Sequence, residues 1–494
     1  MIQLTDMKQL LTLTFLVLVL ATQTRAQSSG SYYKESLRPQ YHFTPERNWM
    51  GDPCGLVYYD DEYHLFYQYN PKGDEPGYYH WGHAKSKDLI HWEHLPVAIF
   101  PDNLSEDAEY CTIGPGSTII DANNLLGVEK GEHKTMVAFY TSRQCGQRIA
   151  FSNDKGHTWT KYRGNPVIPF DENDYAEGPK VFWYEQGQHW VMALFRIPDN
   201  EERKRGISFY TSDDLVNWEY QSHLPGFTGT PDMVELRVNN RPDDKKWLVF
   251  EGDGSYVIGS FDGKSFVPES IRMRSDFGRH FYAAKTFNNP VDGRIIQMAW
   301  MRGAEYPDMP FNGQMTFPSE LTLRKFNMGT FMIRQPIREI ENIQGKKITW
   351  EKENLIPGLN ANLVKKAKGE LLLIKGQFDL KSCDSFGFLL RHSKKNQGME
   401  LLYNVKRQTL TMFGQSVGIE PVDNKIYLDI LIDRNSVEVY ANNGRAVITN
   451  AFLPDENGLE YVLYNSGGEL FVDKLEFIEL KPVWGGKRKP FNPR

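Results

Sequence analysis

The chain has 494 residues, too many for one ordinary domain, and is 13% aromatic with 41 Gly and 27 Pro. That mix favours short strands and tight turns over long helices. A formal net charge of −6 leaves no electrostatic footprint for nucleic acid or an anionic membrane surface, and the 40% hydrophobic fraction is ample for a buried core.

The first element is a targeting segment. Lys8 precedes an apolar run, Leu10 to Ala21, which ends in Thr24-Arg25-Ala26, the charged, apolar, small-residue layout of a secretory signal peptide. The run of about a dozen residues is shorter than the ~20 a bilayer span requires. Residues 1–26 are therefore expected to be a signal peptide, with Met7 an alternative start, and the protein to be secreted or periplasmic. Cys54, Cys111, Cys145 and Cys383 have irregular spacing that fits no zinc pattern and fixes no pairing, although an oxidising compartment permits a bridge.

A weak repeat follows. Ser86-Lys87-Asp88-Leu89-Ile90-His91-Trp92 recurs as Ser152-Asn153-Asp154-Lys155-Gly156-His157-Thr158-Trp159 and as Ser212-Asp213-Asp214-Leu215-Val216-Asn217-Trp218, and more distantly as Ser260 to Phe266. Each copy ends a strand in Ser, turns through polar residues and re-enters the core with an aromatic. The interval of ~50–70 residues suits four short strands, one propeller blade. With a degenerate copy over about 276–340, the repeats predict a five-bladed β-propeller over 27–340. Beyond 340 come alternating strands such as Phe386-Gly387-Phe388-Leu389-Leu390 and Val437-Glu438-Val439-Tyr440, which read as a β-sandwich over 341–494 with a basic tail (Lys487, Arg488, Lys489, Arg494). The fold class is all-β.

The chemistry-bearing segments begin at Trp49-Met50-Gly51-Asp52-Pro53-Cys54-Gly55, where Pro and Gly hold a carboxylate at a rigid turn. Taken alone, Asp52 reads as an Asx-turn residue, the commoner fate of Asp-Pro. In sequence, though, this segment resembles the first signature of glycoside hydrolase family 32 (invertases, inulinases and levanases), Trp-Met-Asn-Asp-Pro-Asn-Gly, with departures at Gly51 and Cys54. The resemblance continues through Leu65-Phe66-Tyr67-Gln68-Tyr69-Asn70-Pro71, Trp81 to Leu89, Ser255 to Gly263, Met315 to Leu321 and Ile432 to Tyr440. It implies a five-bladed propeller with an axial active site, a nucleophile at Asp52, a sugar-binding Gln68, and pocket-lining segments that carry Trp49, Tyr67, Trp81 and Phe311. For each of those aromatics, packing in the blade core is a competing role.

Two further departures bear on catalysis. Where the family carries its acid/base glutamate in Glu-Cys-Pro-Asp, this chain has Gly229-Thr230-Pro231-Asp232. Where the family carries the stabilising Asp of Arg-Asp-Pro, it has Glu177-Gly178-Pro179. Glycine transfers no proton, and proton transfer alone is worth about 10²–10⁴-fold. Glu177 supplies a new carboxylate one residue away, and Ala176-Glu177-Gly178-Pro179 resembles the Glu-Gly-Pro turn that carries the general acid in family 43. A rewired set of Asp52 as base or nucleophile, Glu177 as acid and Asp232 as orienter would act on fructosyl or related furanosyl bonds. The alternative is an inactive glycan-binding protein, with Glu177 a solvated loop charge and Asp232 a turn residue. No cofactor motif is found. His80, His83 and His91 lack carboxylates at metal-ligand spacing, so no metal or cofactor is expected, and the expected partner is a fructan-like oligo- or polysaccharide.

Overall fold

A computed structural model describes residues 32–105, 110–357, 362–455 and 457–485. The expected signal peptide and the basic residues of the tail lie outside the described residues. No helix among the described residues is long and apolar enough to cross a membrane.

Five successive sheets have as their first strands Asn48–Pro53, Ile113–Asp121, Tyr175–Tyr184, Asp232–Arg237 and Tyr282–Thr286, each followed by antiparallel neighbours. These are the blades of the propeller. The first sheet also takes in the short strand Phe311–Asn312, which pairs in parallel with Asn48–Pro53. Two further sheets, of six and five strands, form the β-sandwich, running from Gln344–Leu355 to Leu470–Leu480. The all-β fold is thus a five-bladed propeller followed by a sandwich.

The repeated turn has a local cause. In three copies an Asp accepts backbone N–H groups ahead of it: Ile90 and His91 to Asp88, Thr158 to Asp154, and Val216 and Asn217 to Asp214. The residue near the turn's apex is left-handed (Leu89, φ 64°; Gly156, φ 81°; Leu215, φ 68°). Its carbonyl accepts the indole N–H of the re-entering Trp92, Trp159 or Trp218, each at 3.0 Å. The tryptophan is therefore both core filler and turn lock, which is why the motif shows through an otherwise divergent repeat.

The first strands converge on the axis. Asn288 Nδ2, just past the fifth blade's first strand, donates to Thr118 O in the second blade at 2.9 Å and to Val181 O in the third at 3.0 Å. At the opposite end of these strands the ladders are interrupted. Register shifts fall between Met50 and Pro53, Ile113 and Gly116, Glu177 and Lys180, and Tyr282 and Lys285. β-bulges re-aim side chains and cluster beside active sites; here four of the five blades place one at the same end.

The two domains share a core. Ile337, Ile340 and Ile343 pack with Leu373, Leu431, Tyr440 and Ile478, and a buried polar triad crosses the seam. His42 Nδ1 meets Asp433 at 2.8 Å and Nε2 meets Glu438 at 2.9 Å. Asp433 also accepts the backbone N–H groups of Gln40 and Tyr41, and Glu438 accepts that of Phe317. Burial alone would push the imidazole down, but its two carboxylate partners outweigh that and raise it to about 9. Burial likewise opposes ionisation of Asp433 and Glu438, and His42 holds both below the usual range.

The raised histidine contributes stability in full below its unfolded value of ~6.5 and loses it as pH rises through about 9. The lowered carboxylates contribute above ~4.5 and lose it in acid. Replacing His42 with Gln is expected to cost about 3–5 kcal/mol, because it strands two buried charges. In thermal melts of parent and variant across pH 5 to 10, the deficit in Tm should be largest near pH 6 and shrink above pH 9.

Candidate active site

The bulge in the first blade carries Asp52. Met50 pairs with Tyr69 and Pro53 with Tyr67, so Gly51 and Asp52 stand out of the ladder. Gly51 is required as placed: a Cβ there would lie 2.4 Å from Cη2 of Trp49, so the indole occupies the space a side chain at 51 would need. Trp49 is nearly buried and meets Tyr79 and Trp300 edge-on at 5.5 and 5.7 Å. Tyr282 lies beside Trp300, with the Arg302 guanidinium 4.4 Å from the Tyr282 ring centre. These groups make an aromatic and cationic rim.

Glu177 is the last paired residue before the third-blade bulge, opposite Phe195. Gly178 has φ +72°, and Gly178 N–H donates to Thr141 Oγ1 at 2.9 Å. The turn aims Glu177 toward the second blade, where a Cβ on Gly114 would come within 3.0 Å of Glu177 Oε1. Arg143 Nη2 donates to the same oxygen at 2.9 Å, and the Tyr175 hydroxyl donates to Oε2. Arg143 is held in turn by its backbone, which exchanges hydrogen bonds with Cys111 and Thr112, and by the Cys111–Cys145 disulfide that brackets it. The sequence left the cysteines unpaired; this bridge fastens the hairpin that delivers Glu177's partner. Cys54 and Cys383 are free and buried.

Asp52 and Glu177 are electrostatically coupled. Burial, and after it the charge of Glu177, raise Asp52 to about 7 against the opposing pull of Lys285, Arg302 and Arg143. Lys285 is itself buried, lowered to about 8 mainly by desolvation, and donates to Pro231 O at 2.5 Å. Cys54 Sγ donates to Asp52 O at 3.3 Å, and burial followed by the Asp52 charge pushes its thiol up, which makes it a structural thiol rather than a nucleophile.

The remaining expected residues divide by accessibility. Asp232 is fully buried: Lys180 Nζ lies 2.7 Å from Oδ1, and the backbone N–H groups of Thr286 and Met233 donate to it at 2.6 and 3.0 Å. It can bear on the pocket only through the Lys180–Lys285 charge set beneath it. Gln68, 7% exposed, pairs across the ladder with Trp81. Trp81 has no exposed surface, and its indole N–H donates to Gly114 O at 2.9 Å. A sugar cannot stack on a ring with no free face, so Trp81 supports the wall under Glu177. Phe311 is also wholly buried, capped by Arg38 at 3.6 Å from its centre, and it braces the parallel strand rather than lining the pocket. Trp49 and Tyr67 are buried as well, at 5% and 4% exposure: Trp49 packs against Tyr79 and Trp300, and Tyr67 packs into the core. The histidines do not converge: His80 bonds Tyr78 O, His83 bonds His64 and His91 bonds Asp88.

At the two positions where glycine replaces a carboxylate, the backbone differs. A Cβ at Gly229 would meet only the Phe195 ring, at 3.7 Å and beyond, so the pocket has room there. Next to it, Thr230 adopts φ 56° with its buried hydroxyl unpartnered, a strained conformation for a β-branched residue.

Asp52 and Glu177 thus stand at the end of the propeller where the first-strand ladders break, near enough for the charge of Glu177 to raise Asp52. The chain belongs to glycoside hydrolase family 32. Residues 42–336 match the glycosyl hydrolases family 32 N-terminal domain, and residues 339–479 match the glycosyl hydrolases family 32 C terminal. It is similar to a levanase of Bacillus subtilis (strain 168), 38% identical over 97% of this chain and 75% of that protein. It is also similar to an extracellular exo-inulinase of Aspergillus awamori, 28% identical over 92% of this chain and 96% of that one. A crystal structure of exo-inulinase from Aspergillus awamori superposes with a TM-score of 0.82 at 28% identity, covering 92% of this chain and all of that one.

A carboxyl raised on folding from its ordinary value to about 7 binds more protons in the native than in the unfolded state, so it weakens the fold as pH rises through that interval. Asp52→Asn removes this penalty. The variant is expected to match the parent at pH 4 and to be more stable above pH 7, by on the order of 3 kcal/mol, as read from denaturant melts at the two pH values.

Proposed function

We propose that this chain is an exported glycoside hydrolase acting on fructosyl linkages of the levan, inulin or sucrose kind, in which Asp52 and Glu177 form a rebuilt carboxylate pair. The observation that carries this reading is their coupling in one pocket, with Glu177 fixed by Arg143 and Tyr175. The levanase and exo-inulinase relatives support the substrate class, and the extracellular relatives, together with the charged-apolar-small layout of residues 1–26, support export. In domain terms the reading is a propeller over 27–340 and a sandwich over 341–494.

The environments favour a division of labour opposite to the one expected from sequence. Asp52 keeps its proton to about pH 7, whereas Glu177 is ion-paired. A carboxyl that burial keeps protonated is placed to act as the general acid. Asp52 then donates its proton to the glycosidic oxygen as the bond from that oxygen to the anomeric carbon breaks. Glu177 takes a proton from the water that attacks the anomeric carbon, giving free fructose and the leaving alcohol. Solvent exchange afterwards returns a proton to Asp52 and removes one from Glu177. This is the scheme of an inverting hydrolase. Lys285, Arg302 and Arg143 limit the negative charge that builds when Asp52 ionises.

A second reading, a fructan-binding protein without catalysis, draws on Arg143 and Tyr175 occupying both oxygens of Glu177. Reducing-sugar release from levan, inulin and sucrose separates the two. The parent is expected to be active on at least one of them, with Asp52→Asn and Glu177→Gln each losing about 10²–10⁴-fold. A parent that binds levan but releases no sugar, or variants as active as the parent, would contradict the enzymatic reading.

A further inference from the structure

The sandwich meets the propeller again just before the fifth blade's first strand. Ala446–Ala451 is the outermost strand of the six-stranded sandwich sheet, and a sheet edge leaves backbone groups to be paired or covered. Residues 276–280 of the propeller cover this one. Phe277 N–H donates to Val447 O at 2.8 Å and His280 N–H to Thr449 O at 3.3 Å. The Asp276 carboxylate, which also pairs with Arg334, accepts Thr449 N–H at 3.1 Å and the Thr449 hydroxyl at 2.6 Å. Arg279 N–H donates to Asn450 Oδ1 at 3.0 Å. The approach is so close that a Cβ on Gly278 would lie 1.9 Å from Thr449 O. The chain then enters Tyr282–Thr286, the strand that brings Tyr282 and Lys285 to the site.

His280 ends this segment, and its ring is engaged on two sides. Nδ1 accepts Ala451 N–H from the sandwich at 3.0 Å. A ring nitrogen that accepts carries no proton, so the neutral imidazole holds its proton on Nε2. On the other side is Gly303: a Cβ there would lie 3.8 Å from His280 Cδ2, and the Gly303 backbone hydrogen-bonds the ring in the sense that favours its protonated form. Such a group is an acceptor, so Nε2–H donates to the Gly303 carbonyl. Burial, and after it Arg279, hold the imidazole below its ordinary value against Glu305, Asp276 and the Gly303 bond, which keeps Nδ1 free to accept. Gly303, at φ +84°, directly follows Arg302. That guanidinium stands over the Tyr282 ring and opposes the raising of Asp52.

We infer that His280 is a positioning residue for the candidate site, tying the edge strand of the sandwich to the turn that presents Arg302 and so fixing where the Arg302 charge stands relative to Asp52. His280 acts through Arg302, and by this route the sandwich bears on a pocket built from propeller residues. For any effect on turnover the inference rests on the Asp52–Glu177 reading above; its effect on Asp52 itself requires no sugar to be cleaved.

The Asp52 titration, followed by carbon NMR of the aspartate-labelled full chain, tests this. His280→Phe and His280→Ala both remove the two ring bonds, one keeping the ring's volume and one not, so the result does not hang on the folding of either alone. The released turn carries Arg302 away, and the Asp52 midpoint is expected to rise by about 0.5, part of the ~1–3 that a close opposite charge is worth. His280→Gln, which again offers one acceptor and one donor, should stay near the parent. Arg279→Ala gives up the bond from its guanidinium to Phe413 O in the sandwich but leaves the His280 link, and it should also stay near the parent. A midpoint unmoved in His280→Phe and His280→Ala, or a rise that Arg279→Ala or His280→Gln reproduces, overturns the positioning role. In sugar release, the alkaline limb of the rate profile should move with the midpoint. A parent that releases no sugar overturns the enzymatic reading alone and leaves the midpoint test standing.

Discussion

Two carboxyl groups share one desolvated pocket, and much of the local structure answers the cost of placing them there. A buried acid beside another negative charge resists ionisation, and the pocket meets that cost unequally. Glu177 receives a guanidinium and a phenol, whereas Asp52 is raised to about 7 by burial and by Glu177 despite the charges of Lys285, Arg302 and Arg143. The asymmetry turns two chemically similar residues into a proton holder and an ion-paired partner. It also accounts for the supports around them: the disulfide that brackets Arg143, the left-handed Gly178 that turns Glu177 inward, and the absence of a side chain at Gly114 where the carboxylate lies.

The fold supplies this geometry by repetition. Three of the five blades turn on the same aspartate-and-tryptophan lock, and each first strand runs toward a common axis where Asn288 ties three blades together. At one end of the axis, bulges in four blades release residues from the ladder, and these residues make the pocket wall. Among the described residues, the groups named at the site all come from the propeller. The sandwich's role is at the seam, where His42 bridges Asp433 and Glu438 and shared apolar packing fixes the last blade.

Much of this was legible in the sequence because it is local. The turn that ends in tryptophan needs its residues at fixed offsets, so the blades are visible, and the Asp52-Pro53 segment coincides with the first-blade bulge. Burial was not legible. Trp81 and Phe311 sit in the right segments, but neither sequence position nor residue type says that the one lies under Gly114 and the other under Arg38. Arg143 was missed because it reaches the site from the second blade, and Lys285 and Arg302 because they reach it from the fifth. Two signals were available. Tyr175 stands two residues before Glu177 on one strand, hence on the same face. In addition, Asp52-Pro53, Gly114-Pro115 and Gly178-Pro179 put a proline at the ladder break of three first strands, and Pro231 stands just before the fourth blade's first strand.

The most direct test of the coupled pair is the titration of Asp52 itself, followed by carbon NMR of the aspartate-labelled protein, with Asp52→Asn used to assign the signal. The account predicts a midpoint near 7 in the parent and a clear downward displacement in Glu177→Gln, where the neighbouring charge is gone. A parent midpoint in the ordinary carboxylate range, or one that Glu177→Gln leaves unmoved, would contradict it.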